Sequence, residues 1–298
     1  MAKARLNGIN VHYQVRGEGP DVVLIHGITS TMAVWYTHVL PALAENFRVT
    51  MYDLRGHGYT ELTRGGYDSA NMTADLMALM DHVGIKQARL VGHSYGGAIA
   101  LHAAALAPKR FAGVVISDAG IACLRHLRKI ETWHGWDTYK EQLASHDIDL
   151  SKFADDADLI IRRSFQIPRQ FGMRKGELRG TRRLQRLVDE TDVIKEFREI
   201  AGLTEEMLAT IGTPVQALYG DQSPYHGVVT RLSELLSNCY WDVITGTGHF
   251  LLLQEPDVFI ARILPFLRDP RGYVAAHRAA PTGAAHGDTY VASRETPS

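Results

Sequence analysis

VGHSYGG, residues 91–97, joins a strand-like run, ARLVGHS (88–94), directly to an Ala-rich stretch at 96–107 that reads as a helix ending before Pro108. A G-x-S-x-G run alone is common. Between a strand and a helix it specifies a tight, strained turn that exposes a serine hydroxyl. Gly92 and Gly96 flank Ser94 for a steric reason, since side chains there would collide with neighbouring backbone. The same turn would aim the free N–H groups of the helix N-terminus at whatever reacts with Ser94.

N-terminal to this turn, Asn7-Gly8 separates two short strand-like segments, ARL and INVHYQV, as a hairpin turn would. GEGP (17–20) is a second turn, followed by DVVLIHG (21–27), an unbroken apolar run suited to a strand buried on both faces. Residues 31–44 read as a helix and FRVTMYD (47–53) as another buried strand. Ser69 is placed to cap a helix over 70–83, in which Met72, Leu76, Leu79, Met80 and Val83 recur at helical spacing. On the C-terminal side FAGVVISD (111–118), PVQALYG (214–220) and 239–244 are strand-like, with helices at 226–237 and 256–267. This alternation predicts an α/β fold, a mostly parallel eight-stranded sheet flanked by helices on both faces.

Residues 121–211 differ in character. They are rich in charge, helical in pattern and without a buried-strand signature, which predicts a helical cap inserted into a core made of 1–120 and 212–268. Residues 269–298 are rich in Ala, Gly, Pro, Ser and Thr and lack apolar periodicity, which predicts a flexible tail. With 45% apolar and 22% charged residues the 298-residue chain suits a globular protein, and a net charge of −1 supplies no reason to expect nucleic acid. Cys123 and Cys239 are too few for a disulfide framework and show no metal-ligand spacing, so no metal is expected. The stretch MAKARLNGIN lacks the apolar core of a signal peptide, and no apolar run has membrane-spanning length; a soluble, cytoplasmic protein is the expectation.

Four motifs taken together resemble the α/β-hydrolase fold superfamily over about residues 5–268: HGI (26–28), DLRGHG (53–58), GHSYGG at the turn and GTGHF (246–250). The resemblance implies a serine nucleophile at Ser94 and the chain order serine, acid, histidine. It places the general base at His249, in a loop that Gly246 and Gly248 leave free to fold back over the sheet. It also assigns an oxyanion hole to the backbone N–H groups of Ile28 and Tyr95, where preorganised donors would stabilise the transition state by about 3 kcal/mol each. Within that pattern His26, Asp53, Arg55 and His57 are structural, and His93, on the sharp turn beside Ser94, points elsewhere.

The acid is the point at which this chain departs from the pattern. LYGDQSP (218–224) puts Ser223 at the position where the resemblance expects a carboxylate, and Asp221 comes two residues too early. Asp118 is the other candidate, at the end of the preceding strand in FAGVVISDAG, as in some haloalkane dehalogenases and lipases of this fold. An available Asp118 paired with a vacant 223 favours Asp118; Asp221 is the alternative, and a site with neither acid stays open.

Ser94 argues against the dehalogenase and epoxide hydrolase chemistries of this fold, which use an aspartate nucleophile. Serine attack on a carbonyl forms an acyl-enzyme that water then releases, so a small-molecule acyl substrate is expected, a carboxylic ester first. A C–C bond hydrolase of the ring-cleavage type, a thioesterase and a ligand-binding protein without activity remain rivals. The glycines of GHSYGG do not fit a dinucleotide fingerprint, and no cofactor is expected. Nine Arg and Lys residues between Arg162 and Arg186, facing the lone Glu177, admit two readings: a solvated helix face, or contact with an anionic substrate or carrier. Trp133, Trp136 and Tyr139 admit a pocket or simple packing.

Overall fold

The computed structural model describes residues 2–128 and 178–278. Eight strands form one sheet: β1 (Ala2–Leu6), β2 (Ile9–Arg16), β3 (Asp21–Ile25), β4 (Arg48–Tyr52), β5 (Ala88–His93), β6 (Phe111–Ser117), β7 (Val215–Gly220) and β8 (Cys239–Ile244). Their spatial order is β1-β2-β4-β3-β5-β6-β7-β8. The pairs β1/β2 and β2/β4 are antiparallel and every other pair is parallel, which is the α/β architecture expected. The β1–β2 hairpin turns on Asn7 and Gly8 at φ 47° and 80°, the left-handed pair that matches strand twist.

The unbroken apolar runs follow from burial on both faces. Val23 and Ile25 of β3 join the core on one side, while Val22 and Leu24 join the core on the other. The first core lies under α2 (Ser69–His82) and α3 (Tyr95–Leu106), and the second under α1 (Val39–Ala44) and two C-terminal helices described below. No helix among the described residues is long and apolar enough to cross a membrane.

Three local readings need correction. The expected helix 31–44 is a 3-10 turn at Met32–Trp35 followed by α1, because the ring of Pro41 would clash with the Thr37 carbonyl in a continuous helix. The cap of α2 is Asp68 rather than Ser69: its Oδ1 accepts from the N–H groups of Ala70 (2.9 Å) and Asn71 (3.0 Å). Ser69 turns its hydroxyl to His102 Nδ1 of α3 instead, at 2.9 Å. Residues 270–278, expected within the tail, form a helix whose Val274 is buried and whose Tyr273 meets the Phe266 ring at 5.8 Å. Gly, Ala and His around Val274 and the half-buried Tyr273 left too few large apolar positions for a periodicity to show.

Of the inserted stretch, the described residues are 121–128 and 178–211. They form a 3-10 turn at Ala122–Leu127 and helices α4 (Leu178–Glu190), α5 (Val193–Glu196) and α6 (Glu205–Ala209). Glu196 fastens α5 to the core, its Oε2 accepting from the N–H groups of Gly66 (2.7 Å) and Tyr67 (2.8 Å). The chain finishes with α7 (His226–Leu235), α8 (Leu251–Gln254), α9 (Pro256–Arg268) and α10 (Pro270–Arg278). Trp133, Trp136, Tyr139, Arg162, Arg163, Arg169, Arg174 and Lys175 lie outside the described residues.

Candidate active site

Ser94 stands between β5 and α3 at φ 54° and ψ −122°, a backbone shape that the surroundings must impose on a non-glycine residue. Its N–H donates to the Ser117 carbonyl of β6 at 2.9 Å, which ties the turn to the next strand. Both flanking glycines are required by contact: a Cβ at Gly96 would lie 2.2 Å from the Ile25 carbonyl oxygen, and one at Gly92 would lie 2.3 Å from that of Gly96.

His249 lies between β8 and α8, with Nε2 3.1 Å from Ser94 Oγ and Nδ1 2.5 Å from Asp118 Oδ2. An Nδ1–H tautomer satisfies both contacts, leaving Nε2 as acceptor for the serine proton. Asp118 directly follows β6 at φ 49°, and its carboxylate is fully buried. Burial of a charge demands donors. Besides His249, Ser223 Oγ donates to Oδ2 at 2.8 Å, and the Gly220 N–H reaches Oδ1 at 3.4 Å.

Asp221 is exposed, and its Oδ1 accepts from the Thr247 N–H at 3.2 Å. It braces the base of the histidine loop from outside and has no contact with the imidazole. The structure therefore brings Ser94, His249 and Asp118 together and leaves Asp221 apart.

The loop after β3 lies against the turn, and Gly27 is so close that a Cβ there would meet Ser94 Cβ at 2.9 Å. Tyr95 N–H is the first donor of α3, and donors in that turn have no partner within the helix. Among the described residues neither it nor the Ile28 N–H has an acceptor. Two buried imidazoles hold this loop. His26 Nε2 accepts from the Leu54 N–H at 2.9 Å, and His57 Nε2 accepts from the Thr29 N–H at 3.0 Å. Burial lowers His26 and pushes His57 down to about 3, so both stay neutral and keep a lone pair for those bonds. Asp53 completes the brace, accepting from the Met32 and Tyr59 N–H groups and from His12.

Two contributors were missed. His93 does not face Ser94, yet its Nε2 lies 2.8 Å from the carbonyl oxygen of His249 itself. Burial pushes His93 down to about 3, so Nε2–H acts as donor and holds the backbone of the histidine loop. Tyr225 lies beside the imidazole, ring centroids 5.4 Å apart. Neither role has a signal within a local window, because each depends on a residue of the 246–250 loop meeting a distant strand end.

A family profile described as alpha/beta hydrolase fold matches residues 20–148. Over 100 residues the chain is 38% identical to a soluble epoxide hydrolase of Corynebacterium sp. (strain C12), covering 34% of this chain and 35% of that protein. It is also 38% identical over 118 residues to lipase LipV of Mycobacterium tuberculosis, covering 38% of this chain and 43% of that protein. These matches span less than half the length of either relative. Among solved structures, Est816, described as an N-acyl homoserine lactone degrading enzyme, superposes with a TM-score of 0.68 at 20% identity. That likeness covers 89% of this chain and 100% of Est816, and at such identity it speaks for the fold alone.

Proposed function

We propose that this chain, which has the α/β-hydrolase fold, is a serine hydrolase that cleaves a small or medium carboxylic ester through an acyl-enzyme on Ser94. The observation that carries the reading is the hydrogen-bonded line from Asp118 through His249 to Ser94. In the first step Ser94 Oγ attacks the ester carbonyl while His249 Nε2 takes its proton. The imidazolium formed is stabilised by the Asp118 carboxylate, and the oxyanion by the N–H groups of Ile28 and Tyr95. Return of the proton to the leaving alcohol breaks the C–O bond and leaves the acyl-enzyme. Water, deprotonated by the same imidazole, then attacks the acyl carbon, releases the acid and restores Ser94.

An aspartate nucleophile is what the fold's epoxide hydrolases imply, and a serine at that place favours acyl transfer over epoxide opening. Lactones and thioesters suit the same machinery. The test is labelling with a fluorophosphonate probe beside a panel of p-nitrophenyl esters of graded chain length, lactones and thioesters. The wild-type protein should label and turn over at least one ester. Ser94→Ala should take no label and lose about 10⁵-fold in kcat. A folded wild-type protein that takes no label would instead be a ligand-binding protein.

A further inference from the structure

Side chains of the inserted stretch seat it on residues 60–67, the segment that follows DLRGHG. Arg183 of α4 donates to the Thr60 carbonyl, and Arg64 pairs with Asp192 at 3.0 Å. Glu196 of α5 accepts from the Gly66 and Tyr67 N–H groups, and the backbone there is shaped for a carboxylate. Gly66 takes φ 90°, which lets two successive N–H groups converge on Oε2. A Cβ at Gly65 would lie 2.9 Å from Oε1. The glycine pair in RGGY (64–67) is thus explained by the side chain it receives.

The segment that Glu196 holds also holds Tyr95. Tyr95 Oη donates to the Tyr67 carbonyl at 2.7 Å, and Tyr67 is fully buried, its own hydroxyl donating to the Thr63 carbonyl at 2.7 Å. Burial raises the Tyr95 hydroxyl well above the usual tyrosine range, so it stays protonated and keeps donating. Phe197, the residue after α5, meets the Tyr95 ring edge-on at 5.8 Å. Tyr95 begins α3, and its backbone N–H is one of the two donors assigned to the oxyanion. The other donor, on Ile28, belongs to a loop fastened by His26 and His57 of the core. A hydrogen-bonded path therefore runs from a carboxylate of the inserted stretch, through the Tyr67 backbone, to the side chain of the residue after the nucleophile.

We propose that Glu196 is a positioning residue for the oxyanion hole: it fixes Tyr67, Tyr67 fixes the Tyr95 side chain, and the Tyr95 N–H is correctly aimed only while α5 is seated on residues 65–67. Stabilisation of an oxyanion depends on donors set in place before the charge develops. A displaced N–H therefore weakens binding of the transition state and leaves binding of the ground state alone. The inference rests on the serine hydrolase reading for its chemistry, and on the hydrogen-bonded path alone for its geometry. Steady-state kinetics on the p-nitrophenyl ester turned over by wild type tests the chemistry. Glu196→Ala and Tyr95→Phe should each lose about tenfold in kcat with KM within about twofold of wild type. The double variant should still lose about tenfold, rather than about a hundredfold, because both changes cut one path. Glu196→Gln, whose amide oxygen can accept from the same N–H groups, should recover most of the loss. Arg64→Ala, which removes only the exposed ion pair with Asp192, should match wild type.

A wild-type kcat in either single variant, or additive losses in the double, would overturn the inference and leave the hydrolase reading standing. Tyr95→Phe removes a single hydroxyl and carries the kinetic test where Glu196→Ala does not fold. Geometry is read without turnover, by nuclear magnetic resonance on protein isotope-labelled at its tyrosine amides. There Glu196→Ala, or Tyr67 released by Glu196→Gln to a lesser degree, should shift the Tyr95 amide resonance, and Arg64→Ala should not. That shift in a protein that hydrolyses nothing would uphold the path and remove the serine hydrolase reading. A Tyr95 resonance indifferent to Glu196 overturns the path whatever the activity.

Discussion

Ser223 occupies the position from which an acid would face His249, and its hydroxyl donates to Asp118 Oδ2 instead. The serine thus supports a carboxylate that follows the neighbouring strand. Asp118→Asn should lower kcat by about 10⁴-fold, through loss of the correct imidazole tautomer, with Asp221→Asn within about threefold of wild type. Adding Ser223→Asp to Asp118→Asn should recover about tenfold or more of the lost kcat, since a carboxylate would again reach the imidazole. Ser223→Asp alone should lower activity, because two carboxylates about 3 Å apart do not both ionise. Steady-state kinetics on the p-nitrophenyl ester turned over by wild type reads all four variants. His93 is a positioning residue of the same kind. His93→Gln can offer an amide N–H to the His249 carbonyl, whereas His93→Leu cannot and should lose about tenfold in kcat at little change in KM.

At the scale of elements, the loops after β3 and β4 are joined by neutral imidazoles, and that joining has a pH signature. His57 and His93 are pushed from 6.5 down to about 3 in the folded protein, chiefly by burial. Below pH 6.5 the unfolded chain takes up protons that the folded chain refuses until about pH 3, so stability is full above that window and falls as pH drops through it. Each such histidine removes about 1.4 kcal/mol per pH unit inside the window. Urea denaturation at about pH 7 and about pH 5 should show the fall, and His57→Gln should flatten it by one histidine's share. A slope unchanged by that substitution would assign the pH dependence elsewhere. HGI and DLRGHG were recognisable as motifs, but their mutual bonds were not, because each imidazole is matched to an amide 28 residues away. By contrast, errors at Pro41 and Asp68 were local: a proline's clash with the preceding turn and a carboxylate's strength as a cap were both present in the sequence.

Across the whole molecule, Ser94, Asp118, Ser223 and the loop bearing Ile28 all follow the carboxyl ends of parallel strands. The sheet order reverses at β3, which has β4 on one side and β5 on the other, and crevices form at such switch points. α10 adds Val274 to the second core, and its Tyr273 lies against Phe266 and Tyr240. Tyr273→Ala should therefore destabilise the fold by about 2 kcal/mol, a Tm decrease of roughly 5 °C in a thermal melt, while the ester kcat stays near wild type. A Tm unchanged by that substitution would return residues 270–278 to the tail.

The amino-acid sequence by itself determined the strand–turn–helix around Ser94, the hairpin at Asn7-Gly8 and the α/β alternation. Each of these follows from sterics or periodicity within a short window. Only the tertiary structure decided which carboxylate meets His249. Asp118 and His249 are 131 residues apart, and their contact depends on how β6, β7 and the loop beyond β8 are brought side by side. That arrangement comes from packing helices on both faces of the sheet, and no local stretch of sequence encodes it.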